Sequence, residues 1–252
     1  MLRRSPEPIL PRRIMMNVLH RLFFVCLAGL ALTAQAAVSR PEMPAPDATA
    51  AYHHGAVGVG SWNTSVEYKD MVVTSSNGAV LYRSDFPNQG TNGWRVFNGT
   101  WNARDGKLEQ TALMEDCRIT TGDTKWANYS VTLRARKLRG DEGFLLLFNW
   151  QDDRNFTWFN VGHWGGSACM EQFVDGDRTV LGGQIAQSIE TNVWYDLCIV
   201  VRGPRIECYV NERFLEAVTL LDGKVAAEQP LPIPEGPRTA ALRSCTRRTR
   251  TR

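Results

Sequence analysis

Between residues 55 and 221 the chain consists of about a dozen short apolar segments separated by Gly, Asn and Asp, and no segment keeps a helical period beyond one turn. The segment 129–136 shows the pattern most clearly, because Val131, Leu133 and Ala135 alternate with polar or charged residues. Such alternation is typical of a strand that turns one face to a core and the other to water. The pattern predicts an all-β protein of antiparallel strands, arranged as a two-sheet sandwich or a barrel.

Strands are predicted wherever β-branched and aromatic residues lie between turn residues. Asn77–Gly78 and Asp105–Gly106 are turn pairs that favour tight hairpins. The run 143–148 is apolar throughout, which predicts a strand covered on both faces. The predicted strands cover residues 55–62, 66–74, 79–85, 101–104, 107–111, 129–136, 143–148, 156–163, 169–174, 194–202, 205–211 and 214–220.

The N-terminus has the features of an export signal in their usual order. Met15 or Met16 precedes a short basic region, the apolar run 22–32 follows, and Ala34 and Ala36 suit a cleavage site. The apolar run is too short to span a bilayer, which takes about 20 residues. We expect a secreted or periplasmic protein with no membrane association after cleavage. The predicted organisation is a signal peptide over residues 1–36, a linker over 37–54, a folded domain over 55–221 and a Pro- and Arg-rich disordered tail over 222–252.

The formal net charge of +3 is unevenly distributed. Residues 1–21 carry a net charge of +4 and residues 238–252 a net charge of +6, which leaves −7 on residues 22–237. Nucleic-acid binding requires clustered Lys and Arg on the folded part of a protein. The acidic centre of the chain therefore argues against a nucleic-acid partner.

Cysteines of an exported protein can form disulfides. Cys198 and Cys208 lie on consecutive predicted strands. Pairing Val201 with Ile206 places Cys208 opposite Ile199, so the two thiols fall on opposite faces of the sheet. This register argues against a bond between them.

The sequence leaves a disulfide between Cys117 and Cys169 as an open alternative. No group of Cys and His has the spacing of a zinc site, and no cofactor is expected. Asp175 and Asp177 could supply oxygen ligands to a structural calcium ion, although a hairpin tip explains the same residues.

The segment 155–164 places Trp158, Asn160 and Trp164 in one series and the apolar Phe159 and Val161 in the other. A strand sends the two series to opposite faces, so one face can enter a core while the other presents two indoles and an amide. Indoles stack on flat apolar surfaces, and an amide both donates and accepts hydrogen bonds. The combination suits a sugar-binding surface, and it also suits an ordinary sandwich with Trp on its outer face.

Glu142 and Glu171 are the acidic candidates near this strand, and Arg118 is the basic one. If they lie on the same face as Trp158, they can hydrogen-bond sugar hydroxyls. The two glutamates could also act as the acid and base of a glycosidase, which needs carboxylates about 5–5.5 Å or 6.5–9.5 Å apart. In the plainest interpretation the two glutamates are solvated strand ends or ion-pair partners of Arg118 or Arg134.

Several motifs follow one another in an order that resembles a known family. These are residues 58–74, 80–86, Trp101, 105–106, 142–148, 160–165, 194–195 and 206–209. Over about residues 56–220 the chain resembles the concanavalin-A-like, laminin-G-type jelly-roll module attached to many bacterial α-L-arabinofuranosidases. The resemblance implies a two-sheet jelly roll that binds glycan beside a catalytic barrel. Nothing in the chain resembles that barrel or its catalytic glutamates.

We therefore predict a secreted, non-catalytic carbohydrate-binding module for arabinose-containing or other plant-type polysaccharide. Sugar rings would stack on Trp158 and Trp164, and hydroxyls would bond to Asn160, Glu171, Arg118 and Glu142. Two alternatives remain. One is a glycoside hydrolase that uses Glu142 and Glu171. The other is a structural domain that packs on an α-L-arabinofuranosidase catalytic domain and touches no sugar.

Overall fold

The predicted antiparallel two-sheet sandwich is confirmed by a computed structural model, which describes residues 53–86, 90–221 and 224–228. These residues belong to one compact unit and contain strands and turns but no helix. Accordingly, no helix in the described ranges is long and apolar enough to cross a membrane. The predicted signal peptide and most of the predicted linker and tail lie outside the described residues.

Sixteen strands are described, and every strand pairs antiparallel with its neighbours. They are β1 Ala56–Ser61, β2 Thr64–Ser75, β3 Val80–Ser84, β4 Arg95–Val96, β5 Trp101–Arg104, β6 Lys107–Gln110, β7 Cys117–Thr121, β8 Tyr129–Gly140, β9 Phe144–Asp152, β10 Asn155–His163, β11 Ser167–Val174, β12 Asp177–Ala186, β13 Trp194–Arg202, β14 Arg205–Val210, β15 Arg213–Leu221 and β16 Lys224–Glu228.

The strands form two sheets. The seven-stranded sheet has the order β12-β11-β10-β9-β1-β7-β4. The nine-stranded sheet has the order β16-β15-β14-β13-β8-β2-β6-β5, with β3 paired to the free side of part of β2. The main core lies between the sheets, where Leu146, Phe148 and Phe159 of one sheet and Val131 and Ile199 of the other are fully buried.

Strand β9 is apolar on both faces, as its continuous run predicted. Leu146 and Phe148 belong to the main core, whereas Leu145 and Leu147 belong to a second cluster on the outer face of the seven-stranded sheet. A strand of this kind can only be stable if side chains cover the outer face as well. The second cluster therefore gives this face a packed apolar base.

Four strands differ from the sequence prediction. Strands β4, β7 and β12 were not predicted: β4 has two residues, β7 has only five, and Asp177–Ala186 does not alternate in hydrophobicity. Strand β16 lies in the segment 222–252 that was assigned to a disordered tail, so the sheet continues to Glu228. Its pairing with β15 extends the nine-stranded sheet by one strand.

The cysteine arrangement follows from strand order. Val201 pairs with Ile206 and Ile199 with Cys208, which confirms the predicted register. Cys117, Cys169 and Cys208 are free thiols, so the open Cys117–Cys169 pairing is wrong. Three strands separate β7 from β11, a distance of about 19 Å at 4.8 Å per strand, far beyond the reach of a disulfide.

The Asp175–Gly176 pair is the tip of the β11–β12 hairpin, which confirms the turn interpretation. Asp175 has φ 49° and Gly176 has φ 87°, the left-handed values of a two-residue hairpin turn. The Asn155 side chain accepts a hydrogen bond from the Asp175 amide, and Gly176 donates to the Arg154 carbonyl. Within the described ranges no group of three His, Cys, Asp or Glu side chains could hold a metal ion, and structural calcium stays an untested prediction.

Candidate functional site

Strand β10 places its two side-chain series on opposite faces, as predicted. Phe159 and Val161 enter the main core, and Trp158 lies in the cluster on the outer face of the seven-stranded sheet. We call this surface the outer face. Asn160 lies two residues after Trp158, and its amide reaches the same carboxylate as the Trp158 indole.

The exposure predicted for Trp158 is wrong. The residue is only 2% exposed, because Phe156 and Phe173 pack against its ring at centroid distances of 5.4 and 4.6 Å. Its Nε1 donates to Glu171 Oε2 at 2.5 Å. Trp158 thus belongs to the support of the outer face and does not present an open ring.

Glu171 is the charged centre of the outer face. Its side chain has no exposed area, and it lies directly opposite Trp158 in the β10–β11 register. Asn160 Nδ2 donates to Oε2 at 3.3 Å, and Arg178 Nε lies 3.4 Å from Oε1. A buried carboxylate needs such partners, because its transfer from water is costly. The ion-pair partner is Arg178, whereas the sequence interpretation considered Arg118 and Arg134.

Trp164 is the exposed ring of the site, with 53% of its surface accessible. It follows β10 in a left-handed conformation, φ 42°, after a register shift between Val161 and His163. Trp164 therefore projects from a turn, and its position does not follow from simple alternation along the strand. The Arg178 guanidinium carbon lies 5.2 Å from its ring centroid, within cation–π range.

His163 lies against Trp164 with ring centroids 4.4 Å apart. It is fully buried, and neither ring nitrogen has a hydrogen-bond partner among the described residues. Burial lowers its pKa below the ordinary value, Arg178 lowers it further, and Glu171 opposes both. The imidazole is therefore held in its neutral form at neutral pH.

Glu142 is half-buried just before β9, and its backbone amide donates to Thr64 Oγ1 at 2.9 Å. Burial raises the pKa of its carboxyl above the ordinary value, and the negative charge of Glu171 raises it further, while Arg178 opposes the shift. The structure therefore brings the two predicted glutamates into one electrostatic environment, with Arg178 acting on both.

Arg118 lies on β7 and is 3% exposed. Its Nε and Nη2 face the Asp116 carboxylate at 2.6 and 3.0 Å. Its guanidinium carbon lies 4.0 Å from the Phe97 ring centroid and 4.4 Å from that of Phe156. Its Nη1 is buried without a hydrogen-bond partner in the described part of the chain. Arg118 therefore reaches the outer-face cluster through Phe156, and its Nη1 is enclosed by the protein.

Of the six predicted site residues, three are in direct contact. Trp158 and Asn160 of β10 both donate a hydrogen bond to Glu171 on the adjacent strand β11. Trp164 is linked to this group because Arg178 contacts both its ring and the Glu171 carboxylate. Glu142 interacts with Glu171 through charge alone, and Arg118 contacts the Phe156 ring of the cluster. Sequence reasoning missed Arg178, because it lies on β12, a strand that was not predicted.

The fold and the site define an antiparallel β-sandwich whose seven-stranded sheet carries an exposed indole, a guanidinium and a buried carboxylate on its outer face. A second carboxylate, that of Glu142, lies just before β9. This set can stack on an apolar ring face and can donate or accept hydrogen bonds at its edge. No protein-family model matches the chain.

Two comparisons with known proteins give matches. An extracellular exo-alpha-L-arabinofuranosidase from Streptomyces chartreusis is 36% identical over 159 residues, which are 62% of this chain and 19% of that protein. The chain thus spans about one fifth of the relative's length. A solved structure, the carbohydrate binding module CBM66 from Bacillus subtilis, matches with a TM-score of 0.39 and 18% identity over 56% of this chain and 88% of that one.

Proposed function

We propose that this domain is a non-catalytic carbohydrate-binding module whose ligand site is the outer face around Trp164. The observation that carries the proposal is the position of Arg178, whose guanidinium lies over the exposed Trp164 ring while it pairs with the buried Glu171. A fixed cation beside an open indole is a surface on which a hydroxylated ring can stack and be hydrogen-bonded.

Each site residue has a distinct role in this proposal. A sugar ring stacks on Trp164, and Arg178 and Glu142 bond its hydroxyls. Trp158 and Asn160 act through Glu171, which they hold in the position that orients Arg178. Arg118, which is 3% exposed and packs on the Phe156 ring, supports the outer face and does not contact the sugar in this proposal. Stacking and a few exposed hydrogen bonds give weak affinity, with a Kd on the order of 0.1–1 mM.

The ligand class we propose is arabinose-containing or other plant-type polysaccharide, and the location is extracellular or periplasmic. The 36% identity to an extracellular exo-alpha-L-arabinofuranosidase supports both, as does the motif resemblance to the concanavalin-A-like, laminin-G-type modules of such enzymes. A glycoside hydrolase domain is the protein partner that the same relative supports.

Retention on insoluble arabinoxylan tests the proposal. Trp164→Ala should weaken retention about tenfold or more, because it removes the stacking surface. Val80→Ala is the matched control, since Val80 is also 53% exposed and lies on a strand of the other sheet. Equal retention of the wild type and Trp164→Ala would exclude the outer face as the site.

A second candidate is a glycoside hydrolase that uses Glu142 and Glu171. The raised pKa of Glu142 beside the Glu171 carboxylate favours it, because a glycosidase pairs a protonated acid with an ionised carboxylate. Steady release of reducing sugar that disappears in both Glu171→Gln and Glu142→Gln would establish this activity. If the wild type releases reducing sugar no faster than buffer without protein, the hydrolase candidate is excluded and only the binding function remains.

A third candidate is a structural role beside a catalytic domain. Val96, Phe97, Leu113 and Met114 are each at least 42% exposed. Asn98 Nδ2 donates to the Glu115 carbonyl at 3.2 Å, so the two segments that carry these residues are adjacent. If this apolar surface packs on an α-L-arabinofuranosidase catalytic domain, the two proteins should co-elute in size-exclusion chromatography, and Met114→Asp should separate them.

A further inference from the structure

A cavity of about 250 Å³ opens at one end of the nine-stranded sheet, where β2 ends, β8 begins and β13 ends. Its lining includes Thr74, Ser76, Asn128, Ser130 and Arg202. The carbohydrate site proposed above lies on the other sheet, and the two share no residue.

Strand register and turn hydrogen bonds build the cavity. Thr74 lies opposite Ser130 on adjacent strands, and Ser130 lies opposite Val200. The Asn128 carbonyl accepts a hydrogen bond from the Ser76 amide at 2.7 Å, and Asn128 Oδ1 accepts one from the Gly203 amide at 2.8 Å. Asn128 therefore ties the β2–β3 turn to the β13–β14 turn, and the cavity is formed before any ligand arrives.

The polar groups of the cavity are largely uncommitted. The side chains of Thr74, Ser76, Ser130 and Arg202 make no hydrogen bond or ion pair with other described residues, although Ser130 is only 4% exposed. By contrast, Arg205 on the same hairpin pairs with Glu207 at 2.9 Å.

The charge of the cavity is positive and has no counter-ion. Among the described lining residues there is no Asp or Glu, so Arg202 is the one charged group. A guanidinium in this position favours a planar carboxylate, which it can bind through two parallel hydrogen bonds. Three hydroxyls and the Asn128 Nδ2 amide suit a ligand that carries several hydroxyls of its own.

We propose that this cavity binds a uronic acid unit, with its carboxylate on Arg202 and its hydroxyls on Thr74, Ser76, Ser130 and Asn128. The volume is below the range of about 300–1,000 Å³ for drug-sized ligands, so it accommodates one sugar ring rather than an oligosaccharide. Val200 supplies apolar surface for the C–H groups of the ring. The proposal goes beyond the carbohydrate site on the outer face and does not depend on it.

Titration of the ¹⁵N-labelled full chain with methyl β-D-glucuronide and methyl α-D-galacturonide tests the inference. The matching methyl glucoside and galactoside are the neutral controls. At least one uronide should give saturable shifts of the Ser76, Asn128 and Gly203 amides, with an affinity at least tenfold above that of its neutral counterpart. Arg202→Met should weaken this binding at least tenfold, because a charged hydrogen-bond pair is lost.

Two controls make the result decisive. Arg178→Met alters the outer face and should leave uronide affinity unchanged, so failure of the outer-face site and failure of this cavity are distinguishable. Arg202→Lys keeps the charge and should bind uronide more weakly than the wild type, since an ammonium lacks the planar fork. Equal binding of uronide and neutral glycoside, equal binding of inorganic phosphate, or unchanged binding by Arg202→Met would each overturn the proposal.

Discussion

The indole Nε1 of Trp158 donates a hydrogen bond to Glu171 Oε2 at 2.5 Å, and neither side chain is open to solvent. The pair joins β10 to β11 at directly opposed positions. A carboxylate that has lost its water needs donors in fixed positions, and the indole supplies one of them. Trp158 and Trp164 therefore differ in function although the sequence presents them as one series: Trp158 holds the carboxylate, and Trp164 offers an open ring.

Replacing Trp158 with Phe should separate the hydrogen bond from the packing. Phe keeps an aromatic ring between Phe156 and Phe173 but leaves Glu171 Oε2 without the indole donor. We expect the free energy of unfolding to fall by about 1.5–3 kcal/mol, the usual range for a hydrogen bond to a charged group. Urea denaturation measures this change, and glycan retention should weaken with it.

Trp62→Phe is the matched control for that substitution. Trp62 packs against the same cluster but is only partly buried, and no side-chain hydrogen bond links it to the other described residues. Its replacement should therefore cost clearly less than that of Trp158. Equal losses for the two variants would mean that the Trp158–Glu171 hydrogen bond contributes nothing beyond packing.

Arg178→Met should reduce both glycan binding and stability. The Arg178 side chain is 42% exposed, but its partner Glu171 is fully buried, so the substitution leaves a buried carboxylate without its cation and should cost more than the ~0–1 kcal/mol of an exposed ion pair. The substitution keeps an apolar stem over Trp164 but removes the guanidinium donors, so retention on glycan should fall about tenfold or more. Arg178→Lys should retain the melting temperature and recover only part of the binding, because an ammonium cannot lie flat over the ring. Wild-type retention in the Met variant would remove Arg178 from the ligand site.

The pH dependence of the melting temperature should show the effect of Glu142 ionisation. Burial and the neighbouring Glu171 raise its pKa above 4.5, so ionisation of Glu142 opposes folding. Its contribution is most favourable below pH 4.5 and is lost as the pH rises through the raised pKa. Glu142→Gln cannot ionise, so we expect it to melt at a higher temperature than the wild type at pH 7, with the difference shrinking towards pH 4.

Glu190→Gln provides the comparison for Glu142→Gln, because Glu190 is exposed on the surface. Its melting temperature should follow that of the wild type across the pH range. Thermal scans of the three proteins between pH 4 and 8 give the answer. A Glu142→Gln variant that is less stable than the wild type at pH 7 would show that the ionised carboxylate stabilises the fold.

The fold could be predicted because its strands carry local signals. The alternation in 129–136 and the Asn-Gly and Asp-Gly turns act within a few residues, and they correctly predict β8 and two hairpins. The β13–β14 register was likewise predictable from its two-residue turn at Gly203–Pro204. These features depend on backbone geometry and on the two-residue period of a strand, which a single sequence displays.

The site was only partly predictable because its contacts cross between strands. Whether Trp158 is open or covered depends on Phe173, which lies on β11 and stacks on Phe156 at 4.4 Å. Arg178 reaches Glu171 from β12. Leu181 is the one buried residue of that strand, so its sequence has no alternating apolar positions. A register shift before His163 then redirects Trp164. None of these relationships has a local signal in the sequence.

A buried carboxylate also stabilises the nine-stranded sheet, on the face away from the core. Glu67 has a side chain that is 7% exposed and lies opposite Arg136 on β8. Lys107 Nζ donates to Oε1 at 2.6 Å, and Arg136 Nε donates to Oε2 at 2.8 Å. Burial alone would raise the pKa of Glu67, but the hydrogen bonds and charges of Lys107 and Arg136 outweigh it and hold the pKa below 4.5.

Glu67→Gln should therefore destabilise the fold by about 1–3 kcal/mol at pH 7, since two cations lose a buried anionic partner. Because the folded pKa of Glu67 is lowered, its stabilisation is complete above pH 4.5 and is lost as the pH falls through the lowered value. The difference between the variant and the wild type in urea denaturation should accordingly shrink below pH 4.5. Glu109→Gln is the control, because Glu109 pairs at 3.1 Å with an Arg104 side chain that is 61% exposed, and should cost at most about 1 kcal/mol. A difference for Glu67→Gln that stays constant from pH 7 to pH 3 would contradict an ionic origin and would assign the loss to packing instead.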